Sequence, residues 1–167
     1  AGIPYREGLI KNRYVWRSFI QPHDEQRKAT INEKLNPIRE FLEGQRVVLI
    51  DDSVVRGNTS RRIVARVREA GASEVHLRVG CPPIIAPCYL GIDMPSREEF
   101  IAPGKSAEEI TRDVGADSVA YISIDGLVRA VGKPRDELCL GCISEEYPVP
   151  IPGERIRGQA TLEEFEA

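Results

Sequence analysis

The sequence contains no apolar run approaching the roughly 20 residues that a helical membrane span needs, so no membrane association is expected. No charged-then-apolar leader opens it, and we expect a cytoplasmic protein. It has no excess of positive charge: 23 Lys and Arg against 26 Asp and Glu leave a net −3 over 167 residues, which makes the chain no attractor for nucleic acid. Cysteine is scarce, with four residues at 81, 88, 139 and 142. Without a secretion signal, that even count does not argue for disulfides. There is no internal repeat, no low-complexity tract and no Walker-type G-x-x-x-x-G-K-[ST] spacing. Nor is there an initiating Met: Ala1-Gly2-Ile3-Pro4-Tyr5 reads as the middle of a longer chain, and we expect a fragment.

What is present is an ordinary globular composition, 41% hydrophobic and 29% charged, on a chain long enough to bury a core. Residues 5–30 are dense in Arg, Lys, Asn, Gln and His, with Tyr14, Trp16 and Phe19 interleaved and no clean period, which predicts a loop or lid. A short helix is expected from about Pro37, stopped by Gly44. Val47-Val48-Leu49-Ile50 is a β-branched apolar run without alternation, the pattern of a strand covered on both faces of a parallel sheet. A loop follows, then a helical pattern with Ile63, Val64, Val67 and Ala70 on one face. Asn58, Thr59 or Ser60 is expected to cap this helix and Gly71 to stop it. Glu74–Val79 alternates and reads as a second strand, completing a βαβ unit. Beyond residue 80, Cys81-Pro82-Pro83 and Ala86-Pro87-Cys88 mark turns. Ser106-Ala107-Glu108-Glu109 resembles a capping box that opens a helix to Val114. Residues 118–122 read as a strand, residues 125–131 as a short helix, and the tail from Tyr147 as peripheral.

The loop after the first strand carries the chemistry. Asp51 and Asp52 stand at a strand's carboxyl end, where open parallel sheets bind ligands. Residues 56–60 then lead into a helix N-terminus. Its unpaired N–H groups favour phosphate, Gly57 allows close backbone approach, and Thr59 and Ser60 add hydroxyls. The two carboxylates repel a phosphate and suit ribose hydroxyls or Mg²⁺. Neighbouring strand residues point to opposite faces, so both acids reach one ligand only where the chain leaves the extended form near Asp52. The plainer alternative is that Asp51, Asp52 and Ser53 merely turn the chain and cap a helix. Cys139-Leu140-Gly141-Cys142 has C-x-x-C spacing, which by itself leaves zinc, a cluster, a redox pair and buried thiols open.

VVLIDDSVVRGNTS resembles the diphosphoribosyl-binding signature of type I phosphoribosyltransferases. YREGLIKNRYV, LNPIREFLEG, SRRIVARVREAGASEVHLRVGCPPI and PCYLGIDMPSREEFIA widen the resemblance to the C-terminal half of the amidophosphoribosyltransferase family, over about residues 1–150. The resemblance implies an α/β, parallel-sheet, type I phosphoribosyltransferase fold, partial in this chain, with an irregular C-terminal Cys-bearing segment. Residues 1–135 would be the partial transferase domain, with a flexible loop at about 11–28 and the phosphoribosyl pyrophosphate (PRPP) loop at 47–60. Residues 136–167 would be the Cys-bearing segment and tail. The implied reaction moves ammonia, derived from glutamine, onto C1 of PRPP. It releases pyrophosphate and gives 5-phosphoribosylamine, the first committed step of purine synthesis.

The resemblance also implies site residues. Asp51 and Asp52 would be catalytic and would hold Mg²⁺ or the ribose hydroxyls. Ser53, Val54, Val55, Arg56, Gly57, Asn58, Thr59 and Ser60 would bind substrate, and Arg17, with Arg13, Arg27 and Lys28, would meet pyrophosphate. Trp16 and Ser18 depart from the family's loop pattern. His23 reads as a loop residue and His76 as structural. Cys88, Cys139 and Cys142 match three ligands of a 4Fe–4S cluster whose fourth ligand lies outside this chain. Purine nucleotides are implied inhibitors, and the full-length protein an implied homo-oligomer. The family's N-terminal glutaminase domain has no counterpart in residues 1–167, so the fragment alone is expected to be inactive. A salvage-type phosphoribosyltransferase and a non-catalytic phosphoribosyl-binding regulator are the competing readings.

Overall fold

The structure, a computed structural model, describes residues 2–11, 35–92, 94 and 97–151. The expectations placed on 12–34, including Arg13, Arg17, Arg27, Lys28, Trp16, Ser18 and His23, lie outside the described residues. The chain divides into two compact units. One comprises residues 1–51, 57–78 and 106–120, the other residues 52–56, 79–105 and 121–167.

The first unit opens with an antiparallel pair, β1 (Leu9–Lys11) and β2 (Leu35–Pro37), in which Leu9 faces Pro37 and Lys11 faces Leu35. The helix expected from Pro37 starts later, as α1 (Arg39–Leu42). Pro37 belongs to the strand, because a proline that donates no N–H is tolerated at the end of a two-stranded edge. Gly44 then takes φ 70°, the left-handed geometry expected of a helix stop.

The sheet follows, with β3 (Arg46–Asp51), β4 (Glu74–Val79) and β5 (Ser118–Tyr121) in the order β3-β4-β5. Val79 and Tyr121, at the ends of β4 and β5, count with the second unit. Asp117 N–H donates to Val75 O at the start of the β4–β5 pair, and Ile122 N–H to Val79 O at its end, so these strands run parallel. Ser73 N–H donates to Gln45 O where β3 and β4 both begin, giving the same direction. Between β3 and β4 lies α2 (Asn58–Glu69), whose Ser60, Val64 and Val67 are buried at helical spacing. They pack with Leu42, Ala70 and Val75, and with the half-buried Leu9, Val47, Leu49 and Ile63, into this unit's core.

A further expectation needs correction. β3 is not covered on both faces: Val47 and Leu49 face the core, whereas Val48 is 41% and Ile50 73% exposed. β3 is the edge of the described sheet, and an unbroken apolar run shows only that both faces are apolar, not that both are covered.

α3 (Ala107–Val114) opens with the expected capping box. Glu109 N–H donates to Ser106 Oγ at 3.2 Å, and Ser106 N–H to Glu109 Oε2 at 2.8 Å. Its C-terminal end is fed by arginines of α2, with Arg61 Nε donating to Asp113 O and Arg68 Nε to Gly115 O, where the helix dipole favours cations. Arg68 also donates to Asp117 Oδ2 at 2.8 Å. The same oxygen accepts Val75 N–H at 2.6 Å. On the sheet's half-buried face His76 lies between Ser118 Oγ and Glu74 Oε2, at 2.9 and 2.8 Å, in keeping with a structural histidine.

The second unit is built around Ile84, Phe100, Leu140 and Ile143, with Val55, Cys81, Met94, Leu127, Leu138 and Cys142 packed against them. It contains 3₁₀ turns at Arg97–Glu99 and Arg135–Glu137. α4 (Ile124–Val131) is capped by Ser123, and α5 (Gly141–Ser144) gives the region of the second C-x-x-C cysteine a helical turn. No described helix is long and apolar enough to cross a membrane.

Candidate functional site

β3 ends at Asp51, and Asp52 lies in a bend. The alternation that sends adjacent strand side chains to opposite faces therefore stops between the two acids, as the sequence required. In the first unit Asp51 is half-buried, and its Oδ2 accepts from Ser60 Oγ at 3.4 Å. Ser60 is the buried polar residue at this end of α2, 2% exposed. Gly57 precedes the helix at φ 75° and ψ −12°, a left-handed conformation that glycine adopts without a Cβ penalty. None of Asn58, Thr59 and Ser60 caps the helix. Gly57 is itself the N-cap, no side chain caps it, and the first turn carries no acid. The first-turn N–H groups thus keep the anion-binding geometry of a bare helix N-terminus.

In the second unit Asp52 is exposed, and its Oδ1 accepts from the adjacent Ser53, from its N–H at 2.6 Å and its Oγ at 3.3 Å. Val54 is 2% exposed. Val55 packs in the core and offers its carbonyl to Ile101 N–H at 2.9 Å. Arg56 pairs with Glu99.

All four cysteines belong to the second unit and are free thiols; Cys139 is exposed and the other three are half-buried. Cys142 O accepts Ile85 N–H at 2.9 Å and Ala86 N–H at 3.1 Å, which ties the Cys81–Cys88 segment to the C-x-x-C turn. Burial pushes the Cys142 thiol above its ordinary range, and the neighbouring Cys88 and Cys139 raise it further. Burial likewise raises Cys81, followed by Cys142 and Asp52. Cys142 is thus within electrostatic reach of the other three thiols. Among the described residues no three His, Cys, Asp or Glu side chains converge as ligands of a single metal ion.

Sequence reasoning missed Glu99 and Gly141. Glu99 lies in a charged turn that composition does not distinguish from solvated surface. Gly141 stands inside the C-x-x-C, where spacing alone gives it no role, although a Cβ there would run into the Tyr147 ring.

The α/β architecture with a parallel sheet is that of the phosphoribosyltransferase part of solved PRPP amidotransferases, which places the chain in the phosphoribosyltransferase class. No family model matches it. It is 56% identical over 159 residues to the amidophosphoribosyltransferase of Methanocaldococcus jannaschii, covering 95% of this chain and 33% of that protein. Its fold is similar to that of a solved glutamine PRPP amidotransferase from Bacillus subtilis complexed with ADP and GMP. That match has a TM-score of 0.78 at 48% identity, over 92% of this chain and 34% of that one. A second solved structure, described as the allosteric regulatory enzyme of purine biosynthesis, matches with a TM-score of 0.77 at 46% identity, over 97% of this chain and 36% of that one. The chain belongs to the amidophosphoribosyltransferase family and spans about a third of the length of the relatives it matches.

Proposed function

We propose that this chain is the phosphoribosyl-binding part of an enzyme that places glutamine-derived ammonia on C1 of PRPP, releasing pyrophosphate and giving 5-phosphoribosylamine. The observation that carries this reading is α2 beginning after left-handed Gly57 with an uncapped, acid-free first turn, a short loop after a strand that ends in Asp51. Arg56, Gly57, Asn58, Thr59 and Ser60 cradle the 5-phosphate, with Ser53, Val54 and Val55 shaping the approach. Asp51 and Asp52 face the ribose. As bond breaking builds positive charge on the sugar, these carboxylates stabilise it, and Arg17 meets the charge growing on the departing pyrophosphate. No covalent nucleophile is required.

Mg²⁺ fits the donor set at Asp51 and Asp52, which are hard carboxylates beside a phosphate cradle; when bound it would neutralise pyrophosphate charge. Cys88, Cys139 and Cys142, with a fourth ligand outside this chain, would hold a 4Fe–4S cluster, for which thiolates are suited donors. A polynuclear cluster offers a separate iron to each thiolate, so its ligands stand farther apart than those around one metal. The cluster would tie the C-x-x-C turn to the segment bearing Cys88 and takes no part in ammonia transfer, which is not a redox reaction. A relative solved in complex with ADP and GMP supports purine nucleotides as ligands, which we read as inhibitors. The full-length protein is read as a homo-oligomer and the isolated chain as inactive.

The test is pyrophosphate release that depends on both ammonia and PRPP, measured on the full-length protein. Asp51→Asn is expected to cut it by about 100-fold or more, the scale of losing a preorganised charge at a transition state. Wild-type turnover in that variant would overturn Asp51's role. Release that requires a nucleobase instead of ammonia would select the salvage reading, and PRPP binding without release the regulator.

A further inference from the structure

The 3₁₀ turn at Arg97–Glu99 lies some forty residues beyond the PRPP signature, yet it holds two consecutive residues of it. Glu99 pairs with Arg56, and two residues on, Ile101 N–H donates to the carbonyl of Val55 at 2.9 Å. The turn is itself anchored. Phe100, Ile101 and Ala102 are 7%, 5% and 6% exposed, and Arg97 donates to Glu145 Oε1 at 2.6 Å. Val55 in turn packs into the core that contains Phe100. Residues 55 and 56 are therefore held by a side chain in a core, a backbone hydrogen bond and an ion pair, the last two from residues 99 and 101.

The Arg56–Glu99 pair is 39% and 48% exposed, so its worth to overall stability is small. Its effect is one of direction. A free arginine samples many rotamers, and pairing it with a carboxylate on a fixed turn restricts both the guanidinium and the backbone that carries it. We infer that Glu99 is a positioning residue for the 5-phosphate cradle, acting through Arg56 while Ile101 fixes Val55. This rests on the phosphoribosyl reading above.

The inference has a sign that simple electrostatics does not share. Glu99 is an anion beside a site proposed for anions. By Coulomb's law alone its neutralisation tightens phosphate binding. If Glu99 positions Arg56, neutralisation weakens it.

The experiment is calorimetric titration of the full-length protein with ribose 5-phosphate and with PRPP in Mg²⁺. Glu99→Gln is expected to weaken both ligands by the same factor, about fivefold, the scale of one exposed charge pair. Glu99→Asp is expected to recover part of the loss, and Glu98→Gln in the same turn to bind as wild type. In turnover, KM for PRPP rises and kcat holds. Unchanged or tighter binding in E99Q overturns the inference and leaves the site reading intact. A loss confined to PRPP also overturns it, since Glu99 would then act at the pyrophosphate end. An equal loss in E98Q overturns it as a general charge effect. Should wild type bind neither ligand, the site reading falls and this inference falls with it. If E99Q does not fold, Arg97→Gln, which frees the turn from Glu145, carries the same test: weaker binding of both ligands supports the inference and wild-type binding overturns it.

Discussion

The Tyr147 ring packs against the α-carbon of Gly141, so closely that a Cβ on Gly141 would run into Cδ1 and stand 2.6 Å from Cε1. The same tyrosine donates to Pro87 O at 2.6 Å, and its ring centroid lies 5.3 Å from that of Tyr89. Gly141 is thus the point at which the Tyr147 ring closes over the C-x-x-C turn, and Tyr147 ties that turn to the segment bearing Cys88. Gly141→Ala is expected to destabilise the protein by about 1–3 kcal/mol through overpacking. Tyr147→Ala removes the clash, so the double variant should cost less than the sum of the two single ones. Urea denaturation of the four proteins measures this. Additive costs would mean that the ring and the glycine do not meet.

Gly57→Ala is expected to cost about 1–2 kcal/mol, because alanine at φ 75° meets the steric penalty of left-handed backbone. It should also weaken ribose 5-phosphate binding, since the helix would start on distorted backbone. A loss of stability with full ligand affinity would separate the turn from the cradle.

The Val75 N–H, and beyond it Arg68, hold the Asp117 carboxyl below its ordinary range against a smaller opposing effect of burial. A carboxylate with a lowered folded-state pKa adds stability that is present above its unfolded value, about 3.9, and lost as pH falls through the folded one. Thermal midpoints should therefore fall below about pH 4, and Asp117→Asn should reduce the difference between pH 7 and pH 3. An identical pH dependence in that variant would remove Asp117 from the acid response.

Iron and acid-labile sulfide in the anaerobically purified full-length protein test the cysteine assignment. Cys139→Ser and Cys142→Ser are each expected to lose most of both. Unchanged iron in Cys139→Ser defeats the cluster proposal, and zinc in place of iron points to the other reading that the C-x-x-C spacing left open.

Much of this protein was written locally. Ser106 and Glu109 announced their capping box, because each satisfies the other's orphan N–H within one turn. The alternation in residues 74–79 announced β4, whose Val75, Leu77 and Val79 are buried. The acids at 51 and 52 announced a strand end where the extended chain had to stop. What failed locally depended on partners distant in sequence or on backbone angles. Pro37 became a strand residue because Leu9 pairs with it, and a pairing across 28 positions leaves no periodic trace. Gly57 displaced Asn58, Thr59 and Ser60 as the helix cap because its positive φ already turns the chain, and no side-chain pattern reports a dihedral.

The sequence by itself determined the βαβ unit, the acidic strand end and the family, because these depend on residue types at short spacing. Tertiary structure alone decided that Val48 and Ile50 lie open, that Tyr147 needs a glycine at 141, and that Glu99 reaches Arg56. Each of these is a contact, or the lack of one, between surfaces brought together by packing. A linear pattern encodes which side chains are apolar or charged, not which neighbours they meet.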